Sequence, residues 1–256
     1  MSKFADRLRS LSRSAAPRIG FHVSASELKS PTLLLVAGLH GTRATEAKVA
    51  ANADAGLLME QIPDVKTFKN MLKTAGDVPL GVLVRGGDTD EANELVASGC
   101  DFLVFDTKAA AAVMGSEEAG KFLVLEPSLD LGMARAVNSL ELDGVFVRIG
   151  DGQPFVAVEH LLACRRFVDL LEKPVMMILP SPVTKAELAM LWQLGIDGVL
   201  ALPPHSAGSL TDLKKMIEAI PGGRRGRKTR AGAMLPFSGG VVAAEDDDED
   251  DDDVYP

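Results

Sequence analysis

The stretch 79–106, PLGVLVRGGDTDEANELVASGCDFLVFD, constrains this chain more than any other part of it. A continuous apolar run over 80–84 ends in Arg85. Gly86 and Gly87 form a loop, a helical pattern follows, and a second apolar run ends in Asp106. That is one βαβ unit, and strands joined through a helix lie parallel. The remaining apolar runs fall at 32–39, 56–60, 122–126, 145–148, 175–180 and 199–202. With the first two they make about eight, roughly 20 to 30 residues apart, the period of successive βα units. Each run is continuously apolar rather than alternating, as strands buried on both faces are.

Helical patterns separate the runs, at 45–55, 90–98, 132–140, 154–172, 185–194 and 210–220. Thr184, Ser209 and Thr89 stand where N-caps are expected, and Gly56, Gly99, Gly144 and Gly195 where helices end. SGCDFLVF, LDGVFVR and IDGVLAL repeat one strand entry, a turn residue and an aspartate ahead of the apolar run. The series predicts a (β/α)8 barrel. An open doubly wound sheet needs fewer strands, and no GxGxxG follows the first of them.

The organisation expected has three parts: an N-terminal helix with a short extra strand (RIGFHV) over 1–30, the barrel over 31–220, and a disordered tail over 221–256. The helix carries Phe4, Leu8 and Leu11 on one face and Lys3, Arg7, Arg9 and Arg13 around them. It suits a cap beneath the barrel, with peripheral membrane contact or a transit peptide as alternatives. The tail runs from a basic block (Arg224, Arg225, Arg227, Lys228, Arg230) to an acidic one. The acidic run 245–253 accounts for the whole formal charge of −9. The body is therefore neutral, and composition gives no reason to expect nucleic-acid binding. No apolar run approaches a membrane span. Cys100 and Cys164 have no metal-ligand spacing and form no disulfide framework, which fits buried thiols in a reducing cytoplasm.

Barrel enzymes work at the C-terminal ends of the strands. The residues predicted there are His40, Glu60, Arg85, Asp106 with Lys108, Glu126, Arg148 with Asp151, then Pro180 and Ser181, then His205. Carboxylates from different strands can hold Mg²⁺ or Mn²⁺, and arginines can clamp a carboxylate or phosphate. The competing reading is a ring of ion pairs among Glu60, Arg85, Asp106, Glu126 and Arg148 with no chemistry. Lys108 suits a Schiff base only if desolvated, and His40 is a candidate base. Phosphate has two expected stations: Gly86 and Gly87 after the third strand, and Gly208 and Ser209 opening the last helix.

VLVRGGDTDEANELVASGCDFLVF resembles the third-to-fourth-strand unit of the HpcH/HpaI aldolase family, barrels of the phosphoenolpyruvate/pyruvate superfamily. FLVLE, ending in Glu126, and LDGVFVRIGDG, containing Asp151, resemble the two strands that follow. The resemblance covers about half the barrel. It implies that Arg85 binds substrate, that Glu126 and Asp151 hold a divalent metal, and that His40 matches the family's first-strand histidine; Glu60 is a further metal candidate from its strand-end position alone. The family's Gly-Pro-x-Asp reads Arg148-Ile149-Gly150-Asp151 here. The function expected is a small-molecule enzyme acting on an anionic substrate, in its sharpest form a metal-assisted carbon–carbon lyase on a 2-oxo acid. The alternative is a catalytically silent scaffold or adaptor working through its tails.

Overall fold

The computed structural model describes residues 2–14, 32–41, 43–148, 155–179, 183–204 and 206–221. Within them, eight parallel strands close into a barrel in chain order: β1 (Leu34–Leu39), β2 (Ala55–Leu58), β3 (Leu80–Val84), β4 (Phe102–Phe105), β5 (Gly120–Leu125), β6 (Gly144–Val147), β7 (Val175–Leu179) and β8 (Gly198–Ala201), with β8 pairing back to β1. α1 (Lys3–Ser14) precedes the barrel. The helices outside it are α2 (Ala44–Ala50), α3 (Val65–Ala75), α4 (Thr89–Ala97), α5 (Leu131–Ala136), α6 (Val158–Leu170), α7 (Lys185–Leu194) and α8 (Ala207–Glu218). Only a 3₁₀ turn, Ala111–Gly115, links β4 to β5. This is the (β/α)8 barrel that the repeat predicts.

The continuously apolar strands serve two cores. One parity of each strand, with Leu35, Val82, Leu103 and Val145, packs against the outer helices. The other, with Leu34, Leu57, Phe102, Phe122, Phe146 and Met176, fills the barrel interior together with Phe4, Leu8 and Leu11 of α1. Phe4 lies 4.7 Å from the ring centre of Phe102 and 5.3 Å from that of Phe122. Gly81 makes room for this cluster, because a Cβ there would come within 2.4 Å of the Phe102 ring.

The strand-entry aspartates explain how α1 is held. Asp54, Asp101, Asp143 and Asp197 each precede an even-numbered strand. Each donates its backbone N–H to the preceding strand, to Leu35, Leu80, Lys121 and Val175 carbonyls at 2.8–2.9 Å. Three of the carboxylates then accept an N–H from that same strand: Leu35 at 2.9 Å, Lys121 at 2.9 Å and Val175 at 3.0 Å. Asp101 instead turns to α1. It accepts the N–H groups of Lys3 (2.7 Å) and Phe4 (2.9 Å) and the hydroxyl of Ser2 (2.8 Å). Those are orphan donors of a helix N-terminus, satisfied here by a distant carboxylate. Arg7 donates to the Asp54 carbonyl and Arg9 to the Asp143 carboxylate, which ties α1 to β2 and β6 as well. The apolar side of α1, the side that a lipid surface would take, faces the barrel interior.

Several expectations need correction. A helix absent from the predicted set, α3, follows β2. Asp64 caps it by accepting from Thr67 N at 2.9 Å, and Phe68, Met71 and Ala75 form its narrow buried stripe among lysines. Gly56 and Gly144 lie inside β2 and β6 rather than ending helices, whereas Gly99 and Gly195 do stand at helix ends. α8 begins earlier than expected: Ser206 is its N-cap and Ser209 lies in its first turn. Thr89 is the first residue of α4, not its cap. The expected strand at 18–23, with His22, and the tail from 222 onward lie outside the described residues.

Phe4→Ala should cost about 3–5 kcal/mol, the usual loss for deleting a buried aromatic, and chemical denaturation reads this directly. Asp101→Ala should also destabilise, by leaving the first N–H groups of α1 unpaired. Burial pushes both thiols, Cys100 and Cys164, up to about 12. A folded-state value above the unfolded one stabilises below the unfolded value and is lost as pH rises past it. Both thiols should therefore resist a thiol reagent at pH ~8 until the chain unfolds, and stability should decline as pH rises through about 9, near the ordinary thiol value.

Candidate functional site

Strand parity determines what reaches the barrel mouth. Side chains alternate along a strand, and Leu83, Val104, Val124 and Phe146 belong to the interior cluster. Two residues further on stand Arg85, Asp106, Glu126 and Arg148, which continue the inward parity at the C-terminal ends of β3, β4, β5 and β6. His40 continues the parity of Leu34 and Val36 on β1. Glu60 does not. On β2 the inward position belongs to Met59, which packs on the interior cluster and whose Sδ would lie 2.7 Å from a Cβ at Gly38.

The charges form local pairs, not a closed ring. His40 Nε2 stands 2.9 Å from Glu60 Oε1. A hydrogen bond from Nε2 leaves Nδ1 as the proton-accepting nitrogen. Arg148 Nε lies 3.8 Å from Glu126 Oε1, too far for a hydrogen bond. Asp106 accepts the backbone N–H of Lys108 at 2.8 Å, closing its own turn. Arg85 Nη2 donates to the Met59 carbonyl at 2.9 Å. Among the described residues no carboxylate pairs with Arg85, which breaks the expected ring at its second member. Lys108 is exposed, not desolvated as a Schiff-base lysine is.

The two phosphate stations differ. Gly86 adopts φ +54°, which other residues rarely do, and open space surrounds it and Gly87. Its carbonyl accepts from Ala110 N at 2.8 Å, which joins the β3 and β4 loops. Asp88, the N-cap residue of α4, makes no side-chain cap, and the buried Thr89 hydroxyl has no partner among the described residues. The acidic Asp90 and Glu91 in the first turn oppose an anion there. At α8 the Ser206 hydroxyl accepts the Ser209 N–H at 3.2 Å. One donor expected for phosphate is thus already engaged, and Gly208 is exposed beside it.

For a metal, the described residues supply too little. Glu60 and Glu126 follow β2 and β5, with two strands between them, one beside His40 and the other beside Arg148. No group of three or more His, Cys, Asp or Glu among the described residues could hold one. Asp151, Pro180, Ser181 and His205 lie outside the described residues.

Sequence reasoning missed the residues that hold the mouth loops. Arg166 on α6 donates to the carbonyls of Pro127 (3.0 Å) and Leu129, and so fixes the loop after Glu126. That loop runs into Asp130, which caps α5. The N–H groups of Gly132 and Met133 hold the Asp130 carboxyl below its ordinary range. The loop after Arg148 is pinned where it enters α6. Val156 N donates to Glu187 Oε1 at 2.9 Å, and Ala157 N to the buried His160 Nδ1 at 3.0 Å. Partial burial would raise Glu187, but the Thr184 hydroxyl and the N–H groups of Thr184 and Val156 bring it below its usual value. The Thr184-x-x-Glu187 spacing is a capping-box signal visible in the sequence; its second duty toward Val156 is not.

No protein-family model matches this chain, and no curated protein sequence matches it. Solved structures do. Tryptophan synthase from Mycobacterium tuberculosis aligns with TM-score 0.59 and 12% identity, covering 87% of this chain and 99% of that one. A mutant tryptophan synthase α-subunit from Pyrococcus furiosus gives 0.58 and 12%, covering 74% and 98%. A thiamine phosphate pyrophosphorylase from the same organism gives 0.56 and 14%, covering 75% and 98%. The likeness is one of fold, and the HpcH/HpaI family is not singled out by it. No helix among the described residues is long and apolar enough to cross a membrane.

Arg85→Ala should leave stability within about 0.5 kcal/mol of the parent, as exposed substitutions generally do. Thermal unfolding measures this, and a large loss would instead make Arg85 part of the structural framework.

Proposed function

We propose that this chain is an enzyme acting on a small carboxylate- or phosphate-bearing molecule at the C-terminal mouth of the barrel. One observation carries the reading: Arg85 stands at an inward strand-end position, gives one N–H to Met59, and has no carboxylate partner among the described residues. A guanidinium has five N–H donors in a planar fork, suited to bidentate capture of an anion. The open Gly86-Gly87 backbone lies directly beside it, and Arg148 supplies a second cation three strand positions around the barrel from Arg85. One fold neighbour is by name a thiamine phosphate enzyme, which fits an anionic ligand in a barrel mouth.

Proton transfer falls to His40. Glu60 orients its imidazole through Nε2, and Nδ1 then takes or returns the proton. The sharper version of the reading is carbon–carbon bond cleavage or enolate chemistry on a 2-oxo acid. It assigns Glu126 and Asp151 to Mg²⁺ or Mn²⁺ and rests on the sequence resemblance alone.

Ligand binding to the native state raises the unfolding midpoint by mass action. Phosphate, pyruvate or oxalate should raise the midpoint of the parent protein, and Arg85→Ala should abolish the rise. Repeating the oxo-acid series with Mn²⁺ or Mg²⁺ separates the versions. A rise that needs both components supports the lyase. A rise with anion alone supports the broader reading, and no rise with any combination rejects the mouth as an anion site.

A further inference from the structure

We propose that the face built by α5, α6 and α7 is the contact surface between two copies of this chain, packed about a two-fold axis with α6 antiparallel to α6. The exposed large apolar side chains of the described residues are confined to one sector of the barrel. Leu131 and Met133 open α5, Phe155 precedes α6, Val158 and Leu162 lie on α6, and Met190 lies on α7; Leu140 stands at the far end of the same sector. The other outer helices present none among the described residues.

α6 packs between α5 and α7, so these side chains belong to neighbouring elements rather than scattered points. At its centre Val158 is 71% and Leu162 68% exposed, and residues four apart share a helix face. Single exposed apolar residues are ordinary, but a grouped set marks an interaction surface.

Charge along α6 identifies the occupant. Glu159 lies three residues before Leu162 and Arg165 three after it, whereas Arg166 is engaged by the Pro127 and Leu129 carbonyls of its own chain. A parallel pairing sets like charges together, whereas an antiparallel pairing sets the acidic end of each helix against the basic end of the other. The face is therefore self-complementary, as a two-fold contact requires. Glu159 is 75% exposed, with His160 Nε2 3.8 Å away. Arg165 holds Asp169 on its own helix at 2.7 Å and 2.9 Å, and a guanidinium can serve a second carboxylate. The contact would border the barrel mouth, because Leu131 and Phe155 follow the ends of β5 and β6 closely.

The test is light scattering or sedimentation of the full chain over a range of concentrations. The parent should be a dimer, and Leu162→Glu should make it a monomer with an unchanged circular dichroism spectrum. Glu159→Arg should weaken association by about tenfold or more through like-charge repulsion. Arg165→Glu should do the same, and the two together should restore most of it. A parent that stays monomeric throughout overturns the proposal, as does a dimer that Leu162→Glu leaves intact. Charge reversals whose combination fails to recover association reject the antiparallel arrangement.

Discussion

The barrel depends on how its strands begin. A strand entering a closed sheet carries backbone donors at an end that no helix covers, and a buried unpaired N–H is costly. Here the answer is an aspartate before each even-numbered strand. Asp54, Asp143 and Asp197 each bond the preceding strand twice, once through the backbone N–H and once through the carboxylate. The register of strand pairs is thereby fixed at the N-terminal end. Asp101 departs from the pattern, and its departure builds the rest of that end. Its carboxylate is given to α1, and so Phe4 is carried into the aromatic cluster of β4, β5 and β6.

Closing one end leaves the other to chemistry. With α1 and the phenylalanines filling the lower interior, the inward parity of the strands emerges at the top as His40, Arg85, Asp106, Glu126 and Arg148. These are not buried in a mutual ring. Each is committed locally, to a neighbouring carboxylate, a carbonyl or its own turn, and among the described residues Arg85 is the strand-end cation engaged only by a carbonyl. Arg166 holds the loop after Glu126, and Glu187 and His160 hold Val156 and Ala157 at the entry to α6, so groups far away in the chain position these segments.

Much of the fold was legible. Short, continuously apolar strands at a steady period, with Asp or a turn residue before them, specify parallel βα repeats because both faces of each strand are buried. The hidden helix α3 was obscured by three lysines, yet its Asp64 cap and its Phe68, Met71 and Ala75 spacing carried the signal. The α8 start was misplaced because Ser206 and Ser209 are both cap residues, and the choice between them depends on which hydroxyl the backbone reaches. The candidate site was legible only as a set of positions. Period-two alternation separates Arg85 and Glu126, which face inward, from Glu60, which does not, but it cannot say which charges pair.

By itself, then, the sequence determined the repeat, the parallel barrel and the strand-end charges, because these follow from local periodicity and from where an apolar run stops. Tertiary structure alone decided that Asp101 serves α1 rather than β3, that Glu60 turns to His40, and that Arg85 meets a carbonyl instead of a carboxylate. It also decided that the exposed apolar side chains gather on α5, α6 and α7. Those outcomes depend on distances between residues far apart in the chain, which barrel closure sets and no local pattern encodes.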